Sequence, residues 1–233
     1  MTINKPVRGI FFDLGWTIFR PATGDWRITV KALEYINPQI LWSIPQDTFN
    51  TAISKANEYV KNEIYKTEEE ELERYINYYR TLAEWLPEIH ITYEQAEIIA
   101  YDRVYNDSNY VFLENTKKTI ESLKEKYKLG VISDTDPSIK RVLRNAGIYD
   151  YFDNMTLSFE LGENKPSPGM FRHALDVMNL PATETVFVDD YEKNLKSAST
   201  LGIQSVLVLS RPDSQESTEY LNIHKLSELS LYL

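Results

Sequence analysis

The stretch Gly9–Phe19, GIFFDLGWTIF, sets a short apolar strand directly against one carboxylate, Asp13. A buried strand avoids charge, because an unpaired carboxylate in an apolar setting is costly. An aspartate at its end therefore needs a reason, and the glycine, tryptophan and threonine that follow belong to the same question.

The chain has 233 residues, enough for one large domain or two small ones around a real core. With 42% hydrophobic and 26% charged residues it reads as an ordinary globular protein. The net charge of -10 repels phosphate backbones, and no basic patch offsets it, so nucleic acid is not an expected partner. Cysteine is absent, which removes thiolate catalysis and Cys-ligated zinc and fits a reducing compartment. The opening MTINKPVRG has no signal-peptide apolar stretch, and no run approaches the ~20 residues of a membrane span. The expectation is a cytoplasmic protein with no membrane partner, a monomer or homodimer.

Residues 7–12, VRGIFF, read as a strand ending at Asp13. From about residue 25 to 107 the texture is helical. Ile53, Ala56, Val60 and Ile64 share one face; Leu72, Ile76, Tyr79 and Leu86 share another. Thr92 with Gln95 reads as a capping box, and the Glu68–Glu71 run as a solvated helix face. The tyrosine-rich RYINYYR reads as either a contact between this helical insert and the rest of the chain or a subunit contact. After about residue 110 the chain alternates. The helices ENTKKTIESLKEKY, PSIKRVLRNAG, SPGMFRHALDVMN and YEKNLKSASTLG are interleaved with the strands KLGVIS, TVFVD and QSVLVLS. That alternation argues an α/β core: a Rossmann-like, three-layer parallel sheet covered on both faces. The expected division is a discontinuous core, 1–20 and 111–233, and an inserted all-helical domain, 21–110.

Ligands of open parallel sheets bind beyond the carboxyl ends of the strands. Asp13, Ser133 and the pair Asp189–Asp190 stand at three such ends, and Lys165 precedes a helix in ENKPSP. Asp13 and Asp190 suit a hard cation such as Mg²⁺, Ser133 a phosphoryl oxygen, and Lys165 the charge on both a phosphate and a carboxylate nucleophile. An aspartate kept ionised in this way can attack phosphorus. Blander readings stand beside these. Asp190 reads equally as a helix N-cap, Lys165 as a solvated loop lysine and Ser133 as a turn cap with Asp134. Asn194 reads as a partner for helix backbone, and Trp16 as a wall of the site or a packing residue. His90, His173 and His224 lie off these segments.

Four segments, FFDLGWT (11–17), VISDT (131–135), SFELGENKPSPGMF (158–171) and VFVDDYEKNLKSASTLGI (186–203), resemble the haloacid dehalogenase-like hydrolase superfamily. The resemblance is to its members with a helical cap inserted after the first strand, and it covers nearly the whole chain. It implies a nucleophile at Asp13 and phosphate contacts from Ser133, Asp134 and Lys165. It implies Mg²⁺ held by Asp13, the Gly15 carbonyl and Asp190, with Asp189 close by. The inserted helices would form a movable cap that excludes water.

The family pattern Asp-x-Asp-Gly-Thr is here Asp13-Leu14-Gly15-Trp16-Thr17, so the second aspartate, the acid–base, is missing. The sequence is similar to the Asp-Leu-Gly variants that pair two aspartates with a later asparagine, here Asn194; these include sugar-phosphate phosphatases. The expected function is a Mg²⁺-dependent phosphoric monoester hydrolase acting on a small phosphorylated metabolite through an aspartyl-phosphate. Two alternatives remain. One is a haloacid dehalogenase, whose branch carries tyrosine at this place and needs no Mg²⁺. The other is a non-catalytic or weakly active fold that binds a phosphorylated ligand or a partner. Trp16 replaces a glycine in a turn that normally needs backbone freedom, and Gly15 is a second candidate for an angle that aspartate tolerates poorly.

Overall fold

The structure, a computed structural model, describes residues 2–61 and 65–233; Ile64 of the expected apolar face lies outside the described residues. In chain order the strands are β1 (Gly9–Phe12), β2 (Phe19–Pro21), β3 (Tyr110–Phe112), β4 (Lys128–Ser133), β5 (Asn154–Leu157), β6 (Thr185–Asp189), β7 (Gln204–Val208) and β8 (Leu221–Ile223). The helices are α1 (Ala32–Tyr35), α2 (Pro38–Ser43), α3 (Gln46–Lys61), α4 (Glu68–Trp85) and α5 (Tyr93–Tyr105), then α6 (Thr116–Lys124), α7 (Ile139–Asn145), α8 (Ser158–Leu161), α9 (Pro168–Met178) and α10 (Glu192–Thr200). No described helix is long and apolar enough to cross a membrane.

Two compact units result. The first comprises residues 1–20, 112–135 and 139–233; the second comprises 21–111 together with Asp136–Ser138. The second boundary differs from a simple insertion at 21–110, because three residues shortly after β4 cluster with the helices.

In the first unit six parallel strands run in the order β5-β4-β1-β6-β7-β8. The chain builds outward from β1 in one direction through β4 and β5, then returns to its other side for β6, β7 and β8. The strand order therefore reverses beside β1, which is where open sheets place their ligands. Register follows from apolar packing. Phe11 stands opposite Gly130 on one side and Phe187 on the other. A Cβ at Gly130 would fall 2.7 Å from the Phe11 ring and 2.8 Å from Met178 Sδ, so glycine is what lets that ring lie across β4. Phe11, Ile132, Phe171, Phe187 and Met170 are sealed in one core, and each such side chain contributes about 1.5–3 kcal/mol by leaving water. β4, β6 and the start of α9 at Ser167-Pro168 lie where the apolar runs and the N-cap signal predict.

The second unit packs α3, α4 and α5 around Ala52, Ala56, Tyr79, Leu86, Ile99 and Ala100. Ile53, Val60, Leu72 and Ile76 border that core, as their spacing predicts. Thr92 and Gln95 form the expected capping box, and Thr67 with Glu70 forms another. Of the RYINYYR tyrosines, Tyr78 and Tyr79 are buried against each other, with ring centroids 5.1 Å apart.

The Glu68–Glu71 reading needs correction at its last member. Glu71 is completely buried, and its carboxyl accepts from Ser138 N–H and Ser138 Oγ, both at 2.8 Å. The run looks solvated because one turn of helix puts its four residues on different faces; only Glu71 points inward. Beside it Asp136 accepts from Tyr65 (2.5 Å), Tyr75 (2.8 Å) and the buried Arg103 (3.3 Å).

Burial, with Asp136 adding to it and Arg103 opposing it, pushes the Glu71 carboxyl up to about 8. The folded protein thus binds this proton more tightly than the unfolded chain. Stability from Glu71 is fully present below its unfolded value of 4.5 and is lost as pH rises to about 8. In Glu71→Gln this loss should vanish, so the variant gains on the parent between pH 5 and 9 in urea unfolding. Parallel pH profiles for the two proteins would contradict a buried neutral Glu71.

Candidate active site at the strand ends

Every residue predicted for the site lies in the first unit, at the carboxyl edge of its sheet. Asp13 follows β1, and its backbone N–H donates to the Val188 carbonyl at 2.9 Å, continuing the β1–β6 ladder by one residue. The adjoining β4 and β6 set Ser133 and Asp189 at the same edge.

Asp13 is 7% exposed, and its two oxygens have different surroundings. Oδ1 accepts from Ser133 Oγ at 2.9 Å and from Lys165 Nζ at 2.6 Å. Oδ2 takes no hydrogen bond among the described residues. Lys165 Nζ also donates to Asp189 Oδ2 at 2.8 Å, so one ammonium bridges two carboxylates. The lysine is pinned along its backbone. Its N–H donates to Asp134 Oδ1 at 2.8 Å, and Ser197 Oγ donates to the next carbonyl, Pro166, at 2.6 Å. Its ammonium lies 5.4 Å from the centre of the Phe187 ring. The solvated-loop reading of Lys165 is therefore excluded by geometry: its side chain is 3% exposed.

Asp189 is saturated. It accepts from Tyr191 N–H (2.8 Å), from Asn194 Nδ2 on both oxygens (3.2 and 3.0 Å), and from Lys165. Asn194 thus orients a carboxylate rather than helix backbone. Asp190 is not the helix cap either, since Tyr191 occupies that position with no capping side chain. Asp190 Oδ2 instead accepts from Arg211 Nε, which leaves Oδ1 without a protein donor among the described residues. Ligand oxygens of Asp13, Asp189 and Asp190 lie within 4.8 Å of one another.

The electrostatics follow from crowding. Burial raises Asp13 to about 7; Lys165 opposes this, and Asp189 and Asp190 add to it. Burial and then Asp189 raise Asp190 to about 6, against Arg211. Burial alone would discharge Lys165, but Asp13 and then Asp189 outweigh it and hold the ammonium charged. Three buried carboxylates face two cations, and the donor set is all oxygen. That fits a hard divalent cation, which takes carboxylates and carbonyls and would relieve the remaining repulsion.

The turn after Asp13 is strained at Trp16, which has a φ of 59°, and not at Gly15. A left-handed, non-glycine residue costs about 1–3 kcal/mol and persists only where the surroundings fix it. Trp16 N–H donates to the Phe19 carbonyl at 2.6 Å, Ser210 Oγ donates to the Trp16 carbonyl, and the side chain is buried. The Leu14 carbonyl takes the N–H groups of Thr17, Ile18 and Phe19, and none of these bonds reaches the Gly15 carbonyl. Ser210 and Arg211 were not anticipated from sequence. The signal was there: VLVLSR places them just beyond the carboxyl end of β7, the same location that singled out the other three strand ends.

The chain belongs to the haloacid dehalogenase-like hydrolase family, whose sequence model matches residues 46–208. That match includes Ser133, Lys165, Asp189 and Asp190 and begins after Asp13. A glyceraldehyde 3-phosphate phosphatase of Methanocaldococcus jannaschii is 38% identical over 122 residues, 49% of this chain and 53% of that protein. A protein of the same name from Pyrococcus abyssi is 27% identical over 207 residues, 86% of this chain and 80% of that protein. The matched stretch spans about half the length of several curated relatives. Among solved structures, a dehalogenase superposes with a TM-score of 0.67 at 17% identity, covering 99% of this chain and 98% of its own, which shows a shared fold.

Removing the bridging cation should be severe. Lys165→Met leaves Asp13 and Asp189 facing each other while buried, and breaking a buried pair in this way costs about 3–5 kcal/mol. Urea unfolding at pH 8 should show that loss, and a change under about 1 kcal/mol, the scale of exposed pairs, would mean that the bridge does not hold the site.

Proposed function

We propose that the protein is a phosphatase acting on a small phosphorylated metabolite, with Asp13 as the nucleophile and Mg²⁺ as its cofactor. The observation that carries this reading is the asymmetry of Asp13: one oxygen is held by Lys165 and Ser133, and the other has no donor among the described residues. Such a carboxylate is aimed and kept from rotating before any substrate arrives, which is what covalent catalysis requires of its nucleophile.

Asp13, the Gly15 carbonyl and Asp190 would hold Mg²⁺, with Asp189 behind them positioning Lys165. When bound, the ion neutralises and aligns phosphate oxygens against a negatively charged nucleophile. Lys165 and Ser133 donate toward the phosphoryl group, and the Asp134 carboxylate fixes the backbone of Lys165. Asp13 Oδ2 bonds to phosphorus as the bond from phosphorus to the leaving oxygen breaks. The leaving oxygen keeps that electron pair and takes its proton from water, because residue 15 brings no carboxyl. Water then attacks phosphorus, the Asp13–phosphorus bond breaks, and inorganic phosphate departs. Loss of acid–base assistance slows such steps by about 10²–10⁴-fold without blocking them. The helical unit serves as the cap that selects the substrate. The names of the two archaeal relatives support short sugar phosphates as the first substrates to examine.

The test is a phosphate-release panel of small phosphorylated metabolites, with Mg²⁺ and with excess chelator, alongside chloride release from a 2-chloro acid. The expected result is phosphate release that needs Mg²⁺, with no chloride release. Release that persists undiminished in chelator would remove the metal from the mechanism; chloride release without phosphate release would make the protein a dehalogenase.

A further inference from the structure

We propose that Arg211 is a built-in counter-cation of the acidic triad: it competes with the divalent ion for Asp190 and reserves positive charge for the phosphate. This rests on the metal reading above. Arg211 Nε donates to Asp190 Oδ2, one of the three carboxylates that face the candidate cation position. Asp190 is 3% exposed at its side chain, whereas Arg211 is 40% exposed. The pair is therefore a buried acid held by a cation that reaches solvent.

Arg211 is fixed at its backbone, while its guanidinium, held by Asp190 and lying 6.0 Å from the centre of the Tyr191 ring, borders open space. Its N–H donates to Ser214 Oγ at 3.1 Å and its carbonyl accepts from Ser214 N–H at 3.2 Å, which closes a turn just after β7. The preceding residue, Ser210, donates to the Trp16 carbonyl, so the same short segment touches both the turn after Asp13 and the carboxylate after β6. The guanidinium lines a cavity of about 320 Å³ with Asp190, Tyr191, Glu192 and Asp213. That space lets it withdraw from Asp190 without unfolding the turn, and Glu192 and Asp213 offer it negative charge there.

The charge count gives Arg211 two opposite effects. In formal charges, the three carboxylates of Asp13, Asp189 and Asp190 set against Lys165 and Arg211 sum to one net negative charge. A divalent ion then leaves one net positive charge for an incoming phosphate. Without Arg211, the same ion is attracted more strongly but leaves the site neutral. An adjacent charge moves an ionic equilibrium by about one to three powers of ten.

Arg211→Met should therefore bind Mg²⁺ at least about tenfold more tightly than the parent, measured by titration calorimetry on the phosphate-free protein. With Mg²⁺ saturating, the same variant should bind inorganic phosphate more weakly. Arg211→Lys, which keeps the charge, should stay near the parent in both measurements, and circular dichroism establishes that the variants are folded. A residue that merely supports the site would weaken both equilibria together, so Mg²⁺ affinity that is unchanged or lower in folded Arg211→Met overturns this inference alone. Failure of the parent to bind Mg²⁺ overturns the metal reading and this inference with it.

Discussion

The site depends on one ammonium group. Lys165 holds Asp13 and Asp189 at 2.6 and 2.8 Å, and its charge opposes the burial that raises the Asp13 carboxyl. Everything nearby serves that bridge. Asp134 and Ser197 pin the backbone on either side of Pro166, Asn194 and the Tyr191 N–H hold Asp189 in place, and Ser133 takes the remaining position on Asp13 Oδ1. The parallel sheet supplies the rigid edge on which the strand-end groups converge, because β1 is hydrogen-bonded to β4 on one side and β6 on the other.

The bridge also explains how the site tolerates glycine at position 15. The second aspartate of the usual family pattern moves protons; it does not hold Asp13. Its absence leaves the hold on the Asp13 carboxylate intact. The strained backbone position falls one residue later, at Trp16, where hydrogen bonds at both its amide and its carbonyl hold a left-handed tryptophan. The first turn is thus specialised in its backbone rather than depleted.

Much of this was legible in the residues. IFF, LGVIS and VFVD are apolar or β-branched runs too short for helices, and each ends on a polar group. Alternation with amphipathic helices then dictates a parallel sheet, and the sheet dictates which end binds. β5 and β8 were not legible: NMTL and LNI are short, with polar residues that break any period, and they become strands only because β4 and β7 offer an edge. Glu71 was misread because helix-face assignment cannot tell which of four consecutive glutamates turns inward until Ser138 is in place to meet it. Arg211 escaped although it stands just beyond the carboxyl end of β7, because its partner Asp190 lies 21 residues away in the chain.

The central claim is that Asp13 becomes covalently phosphorylated, and it is tested most directly by acid-quenching the protein during turnover of a radiolabelled phosphate ester. Peptide mapping should find the label on the fragment containing Asp13, and with a good leaving group product should appear in a burst before a slower steady state. Asp13→Asn should show neither label nor turnover. Full steady-state phosphatase activity in Asp13→Asn would contradict the account and return the aspartate at the end of β1 to an unexplained feature of the strand.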